Sequence, residues 1–247
     1  MSQRIGILGG MGPLASAEFL STLYRSNITD PEQDAPVCVM ISDPTFPDRT
    51  ERILRDDTGE LSERLASALA ELTMMGANII VIACVTVHHV LDQVPPDLRR
   101  RVVSLIDLLA DAMVASPCCR LLLTTTGTRE ARIFERHWLW QEIAPSIVRP
   151  SAEDQETLHN LIYRLKRGEW DEAALDWLAK LPSLYGTAGC VFGCTELHLV
   201  HQAVAARLGA EKILDPLMLV ARELPSLTDI RGPCTNACTY RVQNVPR

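Results

Sequence analysis

Short apolar runs and longer amphipathic stretches alternate along this chain. Arg4–Leu8 reads as a buried strand that ends in Gly9-Gly10-Met11-Gly12. A helix follows over Pro13–Ser26, with proline in its first turn, where the missing N–H costs nothing. Val37–Ile41 is a second apolar strand. Glu60–Met75 carries Leu61, Leu65, Leu69 and Leu72 on one helical face. Asn78–Ala83 is β-branched on every turn of the pleat, as a strand covered on both faces would be. Val102–Ser104 reads as a short strand, Leu105–Ala115 as a helix and Leu121–Thr124 as a strand closed by Thr126-Gly127-Thr128. Glu153–Arg167 is an amphipathic helix stopped at Gly168. Glu172–Leu181 is a helix, Gly189–Phe192 a strand and Leu197–Leu208 a helix. This alternation predicts an α/β protein with mostly parallel sheets.

The order repeats. In each half a strand runs into a glycine loop, and a later strand runs into a cysteine: Cys84 in Ala-Cys-Val-Thr and Cys194 in Gly-Cys-Thr-Glu. Gly12 precedes Cys84 by 72 residues and Gly127 precedes Cys194 by 67. The pattern predicts two pseudo-symmetric lobes, 1–115 and 116–215, with 216–247 packing back on the first. From Pro225 onward the pattern dissolves and a loose tail is expected. Ligands of open α/β sheets bind beyond the carboxyl ends of strands, so both cysteines are expected at one cleft between the lobes.

Composition narrows the function. Of 247 residues, 47% are hydrophobic and 22% charged, enough apolar surface for a folded core. The net charge of −7 and the absence of a basic stripe argue against nucleic acid. No segment has the length of a bilayer span or the pattern of a secretory signal, so a cytoplasmic protein is expected, away from membranes. In a reducing compartment the eight cysteines are not a disulfide framework. The spacings Cys190-x3-Cys194 and Cys234-x3-Cys238 do not suit a zinc site, so no metal is expected. Pyridoxal phosphate needs a Schiff-base lysine, and none of Lys166, Lys180 and Lys212 stands in a convincing context for one. No cofactor is expected.

A cysteine is ordinarily a small buried hydrophobe, but the repeated strand-end context sets Cys84 and Cys194 apart. Two thiols on opposite sides of a carbon suit a two-base reaction, one removing a proton and the other returning one to the opposite face. His88, Glu196 and His198 are candidates to tune them. Gly10-Met-Gly12-Pro-Leu-Ala15 has the form of a dinucleotide fingerprint, with Asp43 as the acidic partner. The same loop would equally hold a carboxylate at a helix N-terminus. The Thr124–Thr128 loop offers hydroxyls to a second carboxylate or forms a plain turn. Arg49, in a turn-like segment, suits a bidentate carboxylate clamp or simple solubility. Lys166, at a helix end, suits a dipole-complementing surface charge.

Taken together, these segments resemble the cofactor-independent aspartate/glutamate racemase family. The opening Gly6-Ile-Leu-Gly-Gly-Met-Gly-Pro-Leu-Ala-Ser16 is close to that family's first motif. Pro47-Asp-Arg-Thr50, Thr125-Thr-Gly-Thr128, Gln155–Gly168 and Gly193-Cys-Thr-Glu-Leu197 are similar to others. The resemblance covers about residues 4–220. It implies a two-lobed fold, a homodimer and a pyridoxal-phosphate-independent racemase whose opposed cysteines are Cys84 and Cys194. It puts Arg49 and Lys166 on the acidic side chain of an amino-acid substrate, and Met11, Gly12 and Thr128 on its carboxylate. Thr86, Thr126 and Thr195 join the substrate-binding candidates. One departure stands out: Val85 replaces an asparagine of the family's C-N-T-x-H. A valine cannot make that bond, and a lost hydrogen bond to a charged group costs about 1.5–3 kcal/mol. The substrate is thus aspartate, glutamate or a related amino acid. A maleate-type cis–trans isomerase and a non-catalytic sensor of an acidic metabolite stay open.

Overall fold

A computed structural model describes residues 4–230. The first sheet contains β1 (Arg4–Gly9), β2 (Val37–Ser42), β3 (Ile79–Ile82) and β4 (Val102–Val103), all parallel, in the order β2-β1-β3-β4. The second contains β5 (Arg120–Leu123), β6 (Ile147–Val148), β7 (Gly189–Phe192) and β8 (Ile213–Leu214), parallel in the equivalent order β6-β5-β7-β8. The helices are α1 (Pro13–Asn27), α2 (Arg49–Leu54), α3 (Gly59–Met74), α4 (Pro96–Arg99), α5 (Leu105–Ala115), α6 (Thr126–Glu130), α7 (Trp140–Ile143), α8 (Ala152–Leu165), α9 (Glu172–Leu184), α10 (His201–Leu208) and α11 (Pro216–Ile230). The protein is therefore an α/β structure of two parallel-sheet lobes.

Strand periodicity divides the core into three layers. On β1 and β3, Ile5, Ile7, Ile79 and Val81 face a central cluster, while Leu8, Ile80 and Ile82 face an outer one with Leu61, Leu65 and Leu69 of α3. On β5 and β7, Leu122 and Val191 face the same central cluster, and Leu121, Leu123 and Phe192 face an outer layer with α8 and α9. The two lobes thus share one core, completed by α1, α5 and the α6–α7 segment. Leu217, Val220 and Leu224 of α11 join it, and α11 packs on α1 and α5.

The structure differs from the sequence expectations in short elements. Strands β6 and β8 have two residues each, too few to show a period. Residues 195–200 form a 3-10 turn before α10, where a continuous helix from Leu197 is expected; in this stretch the side chains of Cys194, Thr195 and His198 bond to Glu196, Ala83 O and Asp215. Arg49 opens helix α2, not a turn. Its signal is Asp48-x-x-Glu51, in which Asp48 Oδ1 accepts the Glu51 N–H at 2.9 Å. Helix α11 continues through Pro225 to Ile230; the expected tail beyond it, with Cys234 and Cys238, lies outside the described residues.

The lobes meet closely where α2 touches α6. A Cβ on Gly127 would lie 2.5 Å from Thr50 Oγ1 and 2.7 Å from Thr50 Cα, so the backbones approach only because residue 127 has no side chain. Gly127→Ala is expected to destabilise the fold by about 1–3 kcal/mol, the usual cost of overpacking. Thermal denaturation followed by circular dichroism should show a midpoint lowered by several degrees.

Candidate active site

Each cysteine stands just past a central strand. After β3, the Ala83 N–H donates to Leu8 O at 2.9 Å and the Cys84 N–H to Ile82 O at 2.7 Å, which turns the chain into the 3-10 segment Thr86–Gln93. After β7, the Gly193 N–H donates to Val191 O at 3.0 Å, and Cys194 caps the turn Thr195–Val200. Buried hydroxyl bonds then join the two loops across the lobes. Thr195 Oγ1 donates to Ala83 O at 3.1 Å, next to Cys84. Thr86 Oγ1 is 2.9 Å from Thr128 Oγ1 and 3.4 Å from Thr125 Oγ1. Both thiols are buried and line one cleft of about 270 Å³. Met11, Arg49, Val85, Thr125, Lys166 and Glu196 complete most of its wall.

The two thiols have opposite neighbours. Burial pushes the Cys84 thiol up; the Arg49 guanidinium pulls it back toward the thiolate, the Glu196 carboxylate raises it, and the Val87 N–H lowers it. Arg49 is itself buried; its Nη2 donates to Met11 O at 2.5 Å and its Nη1 to Pro47 O at 3.0 Å. Burial pushes the Cys194 thiol up strongly, and Glu196 adds to this by charge and by accepting the S–H at 2.8 Å. Gly12 makes room for that carboxylate: a Cβ there would sit 2.7 Å from Glu196 Oε1. An acidic group at this spot opposes a phosphate. Gly10 is equally filled, its Cβ position lying 2.3 Å from the Asp43 backbone, and Asp43 pairs with Arg64. The glycine loop is therefore packed against protein and does not form a dinucleotide cradle.

At the cleft edge Asp48 Oδ2 accepts the Tyr163 hydroxyl at 2.8 Å and stands 4.0 Å from Lys166 Nζ. The Lys166 ammonium lies 4.1 Å from the centre of the Tyr163 ring. Lys166 closes α8 as its C-cap, at a helix end as expected, but lines the cleft instead of serving only as a surface charge.

The structure brings together Cys84, Cys194, Met11, Arg49, Thr86, Lys166, Thr195 and Glu196. Gly12 contributes only by its close approach to Glu196. The hydroxyl of Thr195 is spent on Ala83 O. Thr128 lies behind Thr86, and Thr126 turns its N–H to His159 Nδ1 at 3.4 Å; Thr125 faces the cleft in their place. Its signal is the cap pattern Thr125-x-x-Thr128, where Thr125 Oγ1 accepts the Thr128 N–H at 3.1 Å. Neither histidine tunes a thiol directly. Leu105 N–H can only donate to His88 Nε2, at 3.3 Å, so Nδ1 carries the proton and donates it to Cys84 O at 2.9 Å. His88 is held neutral by burial and braces the backbone. His198 Nδ1 meets Asp215 Oδ2 at 2.6 Å and Nε2 meets Thr22 Oγ1 at 3.0 Å, away from the cleft. Asp48, Thr50 and Tyr163 were not singled out by spacing, because their roles depend on a contact between lobes. Cys190 is a core thiol, pushed up to about 12 by burial. Among the described residues no group of three or more His, Cys, Asp or Glu is placed to hold a metal, and no helix is long and apolar enough to cross a membrane.

Residues 8–224 match the family model described as Asp/Glu/Hydantoin racemase. Among solved structures, the chain is similar to the Picrophilus torridus aspartate racemase, with a TM-score of 0.73 at 21% identity, covering 91% of this chain and 94% of that one. It is similar to an aspartate racemase homologue from Pyrococcus horikoshii, with a TM-score of 0.65 at 23% identity over 93% and 100% of the two chains. It is also similar to the glutamate racemase of Francisella tularensis in complex with D-glutamate, with a TM-score of 0.66 at 14% identity over 95% and 85%. At these identities the structural likeness speaks for the fold.

The His198–Asp215 pair makes stability depend on pH. The imidazoles of His198 and His201 hold the Asp215 carboxyl far below the usual range against its burial, and Asp215 raises His198 against its own burial. A lowered carboxyl stabilises above its unfolded pKa of about 3.9, and a raised histidine does so fully below its unfolded pKa of about 6.5. Both contributions overlap between those values. Asp215→Asn keeps the oxygen that caps the Leu217 and Met218 N–H groups. Its loss of melting temperature relative to wild type should therefore be largest near pH 5–6 and become smaller as the pH rises through the raised pKa of His198.

Proposed function

The chain belongs to the Asp/Glu/Hydantoin racemase family, and we propose that it is an amino-acid racemase that inverts Cα with two opposed cysteines and no cofactor. The observation that carries this reading is the pairing of Cys84 beside Arg49 with Cys194 beside Glu196, one from each lobe, in one cleft. Arg49 favours Cys84 as thiolate, and Glu196 favours Cys194 as thiol. In one direction the Cys84 thiolate takes the α-proton: the Cα–H bond breaks, an S–H bond forms and the electron pair passes into the substrate carboxylate. The Cys194 S–H then delivers its proton to the opposite face and becomes the thiolate. The reverse direction starts from the state this leaves: the Cys194 thiolate takes the α-proton, the Cys84 S–H delivers its own to the opposite face, and Glu196 accepts the S–H of Cys194 when that residue is again the thiol. Positioned acid–base groups of this kind contribute about 10²–10⁴-fold each. Arg49 and Lys166 give the cleft the charge for an acidic side chain. Val85 is apolar at the wall beside Cys84, so the substrate amino group takes no hydrogen bond from that position.

The test is α-proton exchange in heavy water with L- and D-aspartate, glutamate and alanine, under reductant and without added cofactor, with chiral chromatography in parallel. Wild type should exchange and invert at least one pair. Cys84→Ala and Cys194→Ala should each abolish inversion, and each should retain slow exchange of only one enantiomer, the opposite one in the two variants. Absence of exchange with every member of the panel, or inversion surviving either substitution, refutes the reading. Because both thiols are pushed up, the thiolate fraction grows with pH, and kcat/KM should rise between pH 7 and 9. Glu196→Gln should lower kcat/KM by about 10²-fold or more, equally in both directions, since the equilibrium constant between enantiomers is unity.

A further inference from the structure

Helix α8 and its C-cap Lys166 carry a polar stripe at Gln155, His159, Tyr163 and Lys166, spaced by four, four and three residues and so on one face. Gln155 Nε2 donates to Thr124 O at 2.9 Å, and His159 accepts the Thr126 N–H, so the upper half of the stripe fastens α8 to its own lobe. The lower half crosses to the other lobe. Tyr163 and Asp48 are 115 residues apart in sequence, and their bond bridges α8 and the start of α2 at the cleft edge.

Asp48 has few choices. Its Oδ1 is committed to the Glu51 N–H at 2.9 Å as the cap of α2. Its Oδ2 has two suitors, the Tyr163 hydroxyl at 2.8 Å and the Lys166 ammonium at 4.0 Å. The hydroxyl holds the closer place. Lys166 is left at the limit of ion-pair distance, supported from beneath by the Tyr163 ring at 4.1 Å. It therefore faces the cleft with its charge largely unspent. Remove the hydroxyl, and Oδ2 is free to draw Lys166 into a close ion pair.

We propose that Tyr163 is a specificity-determining positioning residue: by occupying Asp48, it keeps Lys166 available to a second carboxylate in the cleft and so makes the site selective for dicarboxylic ligands. The inference rests on the proposed reading of the cleft as an amino-acid site, but it concerns binding and not proton transfer. The probe is accordingly succinate, which has two carboxylates and no amino group or stereocentre to invert. Titration calorimetry on wild type should show binding, and Lys166→Met should weaken it. Tyr163→Phe keeps the ring and removes the hydroxyl; succinate affinity should fall about tenfold, equivalent to about 1.4 kcal/mol. Adding Asp48→Asn, which retains an N-cap oxygen, removes the competing charge and should restore most of that loss. A merely structural role for Tyr163 would cost the same affinity with Asp48 or Asn at position 48, so the double variant is compared with Asp48→Asn alone.

Unchanged affinity in Tyr163→Phe, no recovery in the double variant, or no binding of succinate by wild type overturns the inference. Should Tyr163→Phe melt early, the Asp48→Asn background decides: there Tyr163→Phe must leave succinate affinity within about twofold of Asp48→Asn alone, and a loss of about tenfold overturns the inference. Failure of the racemase reading shows separately, as absent α-proton exchange with succinate binding and its response to Tyr163→Phe intact.

Discussion

Everything in the cleft depends on two buried hydroxyl contacts that cross between the lobes. Thr195 ties the loop after β7 to Ala83, and Thr86 ties the loop after β3 to Thr128. Each threonine is one or two residues from a cysteine, so the bonds set the separation and facing of the thiols directly. They lie where water is excluded, and breaking one would leave a buried polar group unmatched, at a cost of about 1–3 kcal/mol. Two glycines make the arrangement possible: Gly127 admits α2, and Gly12 admits Glu196. The shared central core then acts as a rigid block between the sheets, so the loops at their carboxyl ends have fixed neighbours.

The charges follow the same division. The first lobe supplies Arg49 and Asp48, and the second supplies Lys166 and Glu196. Each charge is engaged by protein before any ligand arrives: Arg49 by backbone carbonyls, Asp48 by Tyr163 and a helix N-terminus, Glu196 by Cys194. Lys166 is the least engaged of the four. Buried charges are tolerated only with partners, and these partners also orient them. Both thiols are raised by burial; Arg49 pulls Cys84 back toward the thiolate, whereas Glu196 raises Cys194 further and holds it as the thiol.

Much of the fold was legible in the pattern. The runs at Arg4–Gly9, Ile79–Ile82 and Gly189–Phe192 are apolar on both faces because helices cover both sides of a parallel sheet, while the edge strand Val37–Ser42 is only partly covered. The repeat of strand, loop and cysteine carried the site as well, since Cys84 and Cys194 stand after equivalent central strands. Some of the short elements escaped, among them β6, β8 and α2, because two residues of strand or less than two turns of helix show no period. His198 escaped for another reason. Its spacing from Cys194 suggested the thiol, but the 3-10 turn rotates it toward Asp215 and Thr22.

By itself, then, the sequence determined the alternation of elements, the two-lobe repeat and the strand-end positions of Cys84 and Cys194, because these are properties of local periodicity and of residues adjacent in the chain. Only the tertiary structure decided which side chains serve those thiols. Val85 belongs to the shared core as well as to the cleft, Arg49 is buried instead of solvated, and Thr125 replaces Thr126. Asp48, Tyr163 and Lys166 become one unit across 115 residues of sequence. Burial and through-space charge act over a few ångströms whatever the distance along the chain, so no spacing rule reports them.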